Sequence, residues 1–271
     1  MTTTPITGTQ PQPSGRLAGK VCAITGATGI AEAAAERFAA EGARLFVVAL
    51  REDDCRALAD RVGPDVEFTW VAADLTDEND AVRAFEVCAE TYGRLDALLA
   101  CAGGSGRPFG DGPLHTTSLQ SWNTTVALNL STAFLSSREA VKIMLERPIG
   151  GSIVYISSVA ATNPVAGAFN TLAYAAAKGG INALTLNGAC QYGAAGIRFN
   201  AILPALTLTP MAKRAASDPE TIDIVKVRMP ISGGGPLSAD DHAQAALFLC
   251  SDESKHITGQ LIRVDGGWGV N

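Results

Sequence analysis

Residues 20–31 read KVCAITGATGIA, a short apolar run that passes through two glycines into an alanine-rich helical pattern. The apolar part, residues 21–25, is continuous rather than alternating, as expected for a strand covered on both faces. Glycines at such a strand-to-helix turn let the backbone approach a pyrophosphate, which then rests on the positive end of the helix dipole. We therefore predict a nucleotide site here, with a ligand-free glycine turn as the alternative. Its predicted residues are Gly26, Thr28, Gly29 and Ile30.

Six more apolar runs follow and alternate with amphipathic segments such as AEAAAERFAAEGA at residues 31–43. Repeated strand–helix units place successive strands parallel, with right-handed crossovers. The pattern predicts an α/β fold of the Rossmann type, a doubly wound, mostly parallel seven-stranded sheet with helices on both faces. The predicted strands are residues 21–25, 44–49, 66–73, 95–101, 152–157, 198–203 and 260–264. We predict one domain over residues 19–271, preceded by a flexible tail, residues 1–18, rich in Thr, Pro and Gln.

Composition and charge exclude several classes of function. A net charge of −6 argues against nucleic-acid and anionic-membrane partners. Six cysteines without CxxC spacing, together with an N-terminus that lacks a targeting pattern, fit reduced thiols and predict a cytoplasmic location. The three histidines do not have metal-ligand spacing, so we predict no metal site. Residues 159–177 are uncharged, but Asn163 and Pro164 favour a loop that leads into a buried helix over a membrane span.

The end of the second predicted strand bears on the choice of nucleotide. A dinucleotide site that selects NAD places an acid there to bind the ribose 2′-hydroxyl. This chain has Leu50 and Arg51 instead, and a guanidinium pairs well with a 2′-phosphate. The sequence therefore favours NADP(H), with NAD(H) possible. The alternative is that Arg51 is a solvated surface charge.

Tyr174 and Lys178 lie in the segment LAYAAAKGG, with Ser157 and Ser158 upstream. Residues four apart stand on the same face of a helix. An ammonium near a phenol favours the phenolate, so we predict that Tyr174 titrates below its usual pKa of about 10 and acts as a general acid/base. A five-residue pattern recurs by chance, and the nucleotide-binding unit upstream is what favours catalysis over a solvated helical pair.

Several motifs in a fixed order connect these segments. Taken together, they resemble the short-chain dehydrogenase/reductase superfamily, in its compact single-domain branch, from about residue 19 to residue 271. The motifs are TGATGIA at 25–31, Asp74-Leu75, Ala102-Gly103, Asn129, Ser158, Tyr174 with Lys178, Pro204, Thr207, Thr209 and ITGQLIRVDGGW at 257–268.

This resemblance implies roles for the matching residues. Tyr174 exchanges a proton with the substrate oxygen, and Ser158 hydrogen-bonds the same oxygen. Lys178 lowers the Tyr174 pKa and binds the nicotinamide ribose, and Asn129 holds a water that links Lys178 to solvent. The remaining cofactor contacts are Asp74 and Leu75 to the adenine, Cys101 and Ala102 to the ribose, and Thr207 and Thr209 to the carboxamide. The family also implies an alcohol or carbonyl substrate and a homotetramer, with a dimer as the alternative.

Two departures from the family pattern bear on function. The glycine turn is one residue short, which keeps a non-catalytic nucleotide sensor as the alternative function. The interval between Ser158 and Tyr174 is three residues longer than usual, which predicts a reshaped substrate pocket. We expect loops 103–117, 159–171 and 205–235 to form that pocket. Its predicted lining is Phe109, Phe169, Leu206 and Met211, without clustered Arg or Lys, which favours a neutral and fairly hydrophobic secondary alcohol or ketone.

Overall fold

The computed structural model describes residues 15–169 and 171–270. Seven strands form one sheet in the order β3-β2-β1-β4-β5-β6-β7, and every neighbouring pair is parallel. The strands are β1 Val21–Thr25, β2 Arg44–Ala49, β3 Phe68–Ala72, β4 Ala97–Ala100, β5 Gly151–Ile156, β6 Ile197–Pro204 and β7 Gln260–Val264. The predicted doubly wound fold is confirmed.

Helices cover both faces of the sheet because strand side chains alternate between two apolar cores. In β1, Val21 and Ala23 join a core with α3, α5 and α6, whereas Cys22 and Ile24 join a core with α1, α2 and α9. The helices are α1 Ile30–Ala40, α2 Glu52–Val62, α3 Glu78–Tyr92, α4 Leu119–Val126, α5 Thr132–Leu145, α6 Leu172–Tyr192, α7 Lys213–Ser217, α8 Pro219–Arg228 and α9 Ala239–Cys250.

Strands β1, β2 and β7 have the predicted bounds, and the other four differ by one or two residues at each end. Strand β3 is the clearest case, since it begins at Phe68 rather than at residue 66. It lies at the edge of the sheet and pairs with β2 alone, from Leu45 opposite Phe68 to Ala49 opposite Ala72. The predicted strand also included residues on either side of this register, of which Ala73 still donates a backbone hydrogen bond to the Ala49 carbonyl at 2.9 Å.

The predicted loop 205–235 contains two helices, α7 and α8. Helix α8 begins at Pro219 because Asp218 caps it: the Asp218 carboxylate accepts hydrogen bonds from the Thr221 amide at 2.9 Å and from the Thr221 hydroxyl at 2.7 Å. A capping aspartate followed by proline is a helix-start signal that the sequence contains. The apolar residues of this segment have only weak helical periodicity, so their pattern did not predict the helix.

The N-terminal boundary of the packed structure lies earlier than the predicted tail suggests. Leu17 is fully buried, and its amide donates to the Glu41 carbonyl at 3.0 Å. The Arg16 amide donates to the Glu41 carboxylate at 2.8 Å. Residues 15–18 therefore pack against the end of α1, and the rest of the predicted tail, residues 1–14, lies outside the described residues.

Strands β1 and β4 are neighbours at the centre of the sheet. From β1 the chain continues to β2 on one side of this pair, and from β4 it continues to β5 on the other side. In open parallel sheets, the carboxyl ends of two such strands border the ligand crevice. Among the described residues, no helix has the length and apolar character needed to cross a bilayer, and no group of acidic, histidine and cysteine side chains is placed to hold a metal.

Candidate active site

A pocket of about 470 Å³ opens at the carboxyl ends of β1, β4, β5 and β6. Ten of the predicted site residues line it, namely Thr28, Gly29, Ile30, Cys101, Asn129, Ser158, Tyr174, Lys178, Thr207 and Thr209. Five others do not, namely Gly26, Arg51, Asp74, Leu75 and Ala102. The tertiary structure thus brings the predicted phosphate and catalytic residues together, and leaves the predicted adenine end outside this pocket.

The glycine turn after β1 depends on backbone conformations that favour glycine. Gly26 and Gly29 have φ values of 92° and 62°. Gly29 is the N-cap of α1 and has no side chain with which to cap the first turn of that helix. A Cβ on Gly29 would lie 3.0 Å from the Thr209 side chain, so Thr209 packs closely against the turn. A helix N-terminus at a glycine turn fits a pyrophosphate, despite the shortened loop.

Tyr174 and Lys178 stand on one face of α6, as predicted, and both line the pocket. The Lys178 Nζ lies 5.5 Å from the centroid of the Tyr174 ring. It donates a hydrogen bond to the Ile156 carbonyl at 2.7 Å. Burial lowers the Lys178 pKa to about 8, with a smaller opposing effect from Cys101. The ammonium is therefore anchored to the end of β5 beside the phenol.

The two consecutive serines after β5 have different surroundings. The Ser157 hydroxyl is buried, 2.7 Å from the Asn182 Oδ1 and 3.1 Å from the Lys178 carbonyl, so it joins β5 to α6. The Ser158 hydroxyl accepts a hydrogen bond from the Ala160 amide at 3.1 Å and lies close enough to the Tyr174 hydroxyl to lower its pKa. Ser158 is therefore the serine placed to share a ligand with the phenol.

Comparison with known proteins identifies the family. The profile described as enoyl-(acyl carrier protein) reductase matches residues 25–269. A mitochondrial borneol dehydrogenase of Lavandula x intermedia is 37% identical over 256 residues, which cover 94% of this chain and 92% of that protein. Momilactone A synthase of Oryza sativa subsp. japonica is 34% identical over 258 residues, with 94% and 92% covered. The chain belongs to the short-chain dehydrogenase/reductase superfamily.

A solved structure extends this finding to the cofactor. The 3-ketoacyl-(acyl-carrier-protein) reductase from Brucella melitensis, complexed with NADH, matches with a TM-score of 0.82 and 29% identity, over 94% of this chain and 100% of that chain. The resemblance predicted from the order of the motifs is confirmed. The protein is an NAD(P)-dependent oxidoreductase of the short-chain dehydrogenase/reductase superfamily.

The residues predicted for the adenine end of this dehydrogenase/reductase lie outside the pocket. The Leu75 side chain is only 5% exposed and packs in the core. The Asp74 carboxylate accepts hydrogen bonds from the Thr76 amide at 2.9 Å and hydroxyl at 2.7 Å, the turn that such residues commonly form. Arg51 is exposed and lies 3.7 Å from the Asp54 carboxylate.

The segment after β4 is held by the side chain of Thr25. The Thr25 hydroxyl accepts hydrogen bonds from the Cys101 and Ala102 amides, both at 3.0 Å. This ties the ends of β1 and β4 together beside the pocket. Burial raises the pKa of the Cys101 thiol to about 11, so it remains protonated at neutral pH.

Asn129 lies in a widened π-helical turn, Ala127–Ser131, between α4 and α5. Its side-chain amide donates to the Gly104 carbonyl at 3.0 Å and to the Thr125 carbonyl at 2.9 Å, and its Oδ1 accepts from the Gly104 amide at 3.2 Å. Because both amide hydrogens are committed, Asn129 can hold the predicted water only through an acceptor. Its main observed role is to join the loop after β4 to the helix.

The prediction that Tyr174 titrates below its usual pKa is wrong for the nucleotide-free protein. Burial raises the Tyr174 pKa to about 12, the Ser158 hydrogen bond opposes this rise, and the Cys101 charge adds to it. Spacing on a helix indicates which groups are neighbours, but not how far they are removed from water. Here the desolvation of the phenol outweighs the opposing effect of the Ser158 hydrogen bond.

Asp111 was missed by the sequence analysis. Its side chain is buried, and its two oxygens accept hydrogen bonds from the Ala173 amide at 2.9 Å and the Tyr174 amide at 3.0 Å. It therefore caps the helix that carries Tyr174 and Lys178. A capping residue usually stands next to its helix in sequence, whereas Asp111 comes from the loop after β4. No local pattern in the sequence identifies such a cap.

The substrate side of the pocket is partly as predicted. Phe169 and Leu206 line it, together with Met211, whereas Phe109 does not. The predicted absence of clustered basic side chains is wrong, because Arg107 and Arg214 both line the pocket. They come from separate segments, after β4 and in α7, which only the fold brings together.

The long segment between Ser158 and α6 is held by the C-terminal residues. The Trp268 indole donates to the Asn163 carbonyl at 3.0 Å, and the Asn163 amide donates to the Gly269 carbonyl at 3.2 Å. The rings of Phe169 and Trp268 meet edge to face, with centroids 5.3 Å apart. Both aromatic residues line the pocket, so the longer interval and the C-terminus together form its apolar wall.

Proposed function

We propose that this protein transfers a hydride between NADP(H) and a small, neutral secondary alcohol or ketone, with Tyr174 as the general acid/base. One observation carries the proposal. Ser158, Tyr174 and Lys178 line the same pocket as the glycine turn at the N-terminus of α1, which suits a pyrophosphate. A proton-transfer group and a dinucleotide site therefore share one cavity, as hydride transfer to a carbonyl requires.

Each catalytic side chain has a role that follows from its surroundings. When bound, the nicotinamide supplies or accepts the hydride. Tyr174 holds its proton at neutral pH, because its pKa is raised to about 12, and is suited to donate it to a carbonyl oxygen. In the opposite direction, the Lys178 ammonium, 5.5 Å from the ring centroid, favours the phenolate. Ser158 hydrogen-bonds the oxygen on which charge develops.

The proposed substrate class follows from the wall of the pocket. Phe169, Leu206 and Trp268 contribute a largely apolar surface. Burial and Arg214 lower the Arg107 pKa, and the Asp111 and Asp218 carboxylates oppose that shift, so carboxylates accompany the two guanidiniums. A relative that is a borneol dehydrogenase supports an alcohol substrate.

A non-catalytic nucleotide sensor is the second candidate, and the shortened glycine turn with Thr209 packed against Gly29 favours it. Nicotinamide fluorescence on addition of NADPH and NADH to the purified protein tests both candidates. Binding followed by oxidation of NADPH with members of a carbonyl panel supports the enzyme. Binding without turnover across the panel favours the sensor, and no binding contradicts both.

The proposed preference for NADP(H) depends on Arg51. Its exposed guanidinium lies 3.7 Å from the Asp54 carboxylate and remains able to pair with a phosphate. We expect Arg51→Ala to weaken NADPH binding about tenfold and to leave NADH binding within about twofold, since one charge-assisted contact is worth roughly 1.5–3 kcal/mol at most. Fluorescence titration with both cofactors measures this. Equal loss for both would show that Arg51 does not contact the 2′-phosphate.

We further propose that the protein is a cytoplasmic homotetramer. The outer faces of α5 and α6 support an assembly, because Phe134 and Leu186 are 46% and 52% exposed there. Small residues of α6, including Gly180 and Ala183, border a shallow depression beside Phe134. Light scattering is expected to give about four times the mass of the chain, and Phe134→Glu is expected to lower it. A monomeric wild type would contradict the proposal.

A further inference from the structure

Thr207 lines the pocket, and its hydroxyl has two polar neighbours. It is 2.7 Å from the His242 Nε2 and 3.0 Å from the Ala205 carbonyl. Thr207 is 5% exposed, and its backbone pairs with Leu237 in an isolated bridge. The hydroxyl is therefore fixed in position, and its single proton is directed either at the Ala205 carbonyl or at the His242 Nε2.

Counting hydrogen bonds assigns that proton. A hydroxyl has one donor and two lone pairs, and a carbonyl can only accept. If the His242 Nε2 carries a hydrogen, it donates to the Thr207 oxygen, which in turn donates to the Ala205 carbonyl, and two bonds form. If the hydrogen is on Nδ1 instead, only the bond from Thr207 to Nε2 forms. Nδ1 is buried without a partner among the described residues. The second arrangement would therefore also leave a buried N–H group without an acceptor.

We infer that His242, in its Nε2–H tautomer, is a positioning residue that leaves the Thr207 hydroxyl with a lone pair, and not a proton, for a ligand in the pocket. Such a hydroxyl accepts a hydrogen bond from a ligand N–H and offers none in return. A primary carboxamide suits it, whereas a ketone or carboxylate in the same place does not. The inference rests on the proposed function, in which Thr207 meets the carboxamide of a nicotinamide.

The surroundings of His242 keep it neutral. It is fully buried on the inner face of α9, and burial lowers its pKa to about 4. The adjacent Asp241 opposes this shift, but its carboxylate accepts hydrogen bonds from the Ser238 amide and hydroxyl, both at 2.8 Å, in the cap of α9. An aliphatic residue would satisfy this buried position, so the histidine is explained by the bond to Thr207.

Nitrogen NMR of the histidine side chains tests the tautomer directly. In the protein without nucleotide, we expect a neutral His242 ring with its hydrogen on Nε2, unchanged between pH 5 and pH 8. Loss of one histidine signal in His242→Gln assigns it. A hydrogen on Nδ1, or a charged ring in this range, overturns the inference. This measurement does not depend on catalysis, so its failure is distinct from failure of the proposed function.

Cofactor analogues test the consequence for binding. We expect the wild type to prefer NADP⁺ about tenfold over its 3-acetylpyridine analogue, in which a methyl ketone replaces the carboxamide. His242→Leu is expected to reduce that preference to about twofold, and Thr207→Val to do the same, with no further loss in the double variant. His242→Gln, which retains an amide donor, is expected to restore part of it.

The outcomes of the binding experiment separate the two proposals. If the wild type binds neither dinucleotide, the proposed function fails and the NMR result on the tautomer stands by itself. If the wild type shows the preference and a folded His242→Leu variant retains it in full, the positioning role of His242 is wrong. Should His242→Leu not fold, the comparison of His242→Gln and Thr207→Val with the wild type decides between the same outcomes.

Discussion

Tyr174→Phe is expected to lower kcat by about a thousandfold while NADPH binding and the thermal unfolding midpoint remain close to those of the wild type. General acid/base groups contribute roughly 10²- to 10⁴-fold to rate, and phenylalanine removes the only proton that Tyr174 can transfer. The aromatic ring, which contacts the Lys178 ammonium at 5.5 Å, is retained. Steady-state oxidation of NADPH with the best carbonyl found in the panel measures kcat, and fluorescence titration measures binding.

A second tyrosine on the same helix provides the control. Tyr192 is the last residue of α6, and its ring stacks on Phe199 with centroids 5.7 Å apart. Tyr192→Phe retains that stacking and removes a hydroxyl outside the pocket, so kcat is expected to stay within about twofold of the wild type. If Tyr174→Phe retains wild-type turnover, or loses no more of it than Tyr192→Phe, Tyr174 is not the acid/base.

Asp111→Ala is expected to lower kcat about a hundredfold with little change in the affinity for NADPH. The Asp111 carboxylate accepts hydrogen bonds from the Ala173 and Tyr174 amides, at 2.9 and 3.0 Å. Without it, two amides in the first turn of α6 lose their partner, and the turn that positions the phenol is free to shift. A displacement of about 1 Å at a reacting group costs roughly a hundredfold in rate. The measurement is kcat and KM together with a cofactor titration.

Asp77 provides a matched control for the loss of a helix cap. It caps α3 by accepting a hydrogen bond from the Asp80 amide at 3.0 Å, and it does not line the pocket. Asp77→Ala is expected to cost about 1 kcal/mol of stability and to leave kcat unchanged. Asp111→Asn, which retains one acceptor oxygen, is expected to recover part of the lost rate. If Asp111→Ala loses stability but not kcat, Asp111 is a helix cap without a positioning role.

Particular residues show why the sequence predicted some parts of the structure and not others. Parallel strands buried on both faces are continuous apolar runs, so β1 and β2 were predicted with their observed bounds. Helix α8 was not predicted, although Asp218 and Pro219 signal its start, because its apolar residues lack helical periodicity. Arg107 and Arg214 were not placed at the pocket, because their positions depend on two loops whose paths local sequence does not specify.

The pKa values of Tyr174 and Lys178 show most clearly the difference between what sequence spacing determines and what burial determines. Tyr174 and Lys178 are neighbours because a helix places residues four apart on one face, whatever the rest of the chain does. Their ionisation depends on how much water and which partners surround them. Burial raises the Tyr174 pKa to about 12 and lowers the Lys178 pKa to about 8, and the Ile156 carbonyl binds the ammonium. None of these quantities is a property of spacing.

The sequence alone therefore determined the sheet, the glycine turn and the neighbouring positions of Tyr174 and Lys178, because each depends on apolar runs or on the geometry of a single turn or helix. Only the tertiary structure decided that Asp111 caps the helix that carries Tyr174 and Lys178, and that His242 bonds Thr207. These contacts join residues 62 and 35 positions apart, and both lie out of water. Burial and long-range hydrogen bonds arise only when separate segments pack together, so a local pattern does not contain them.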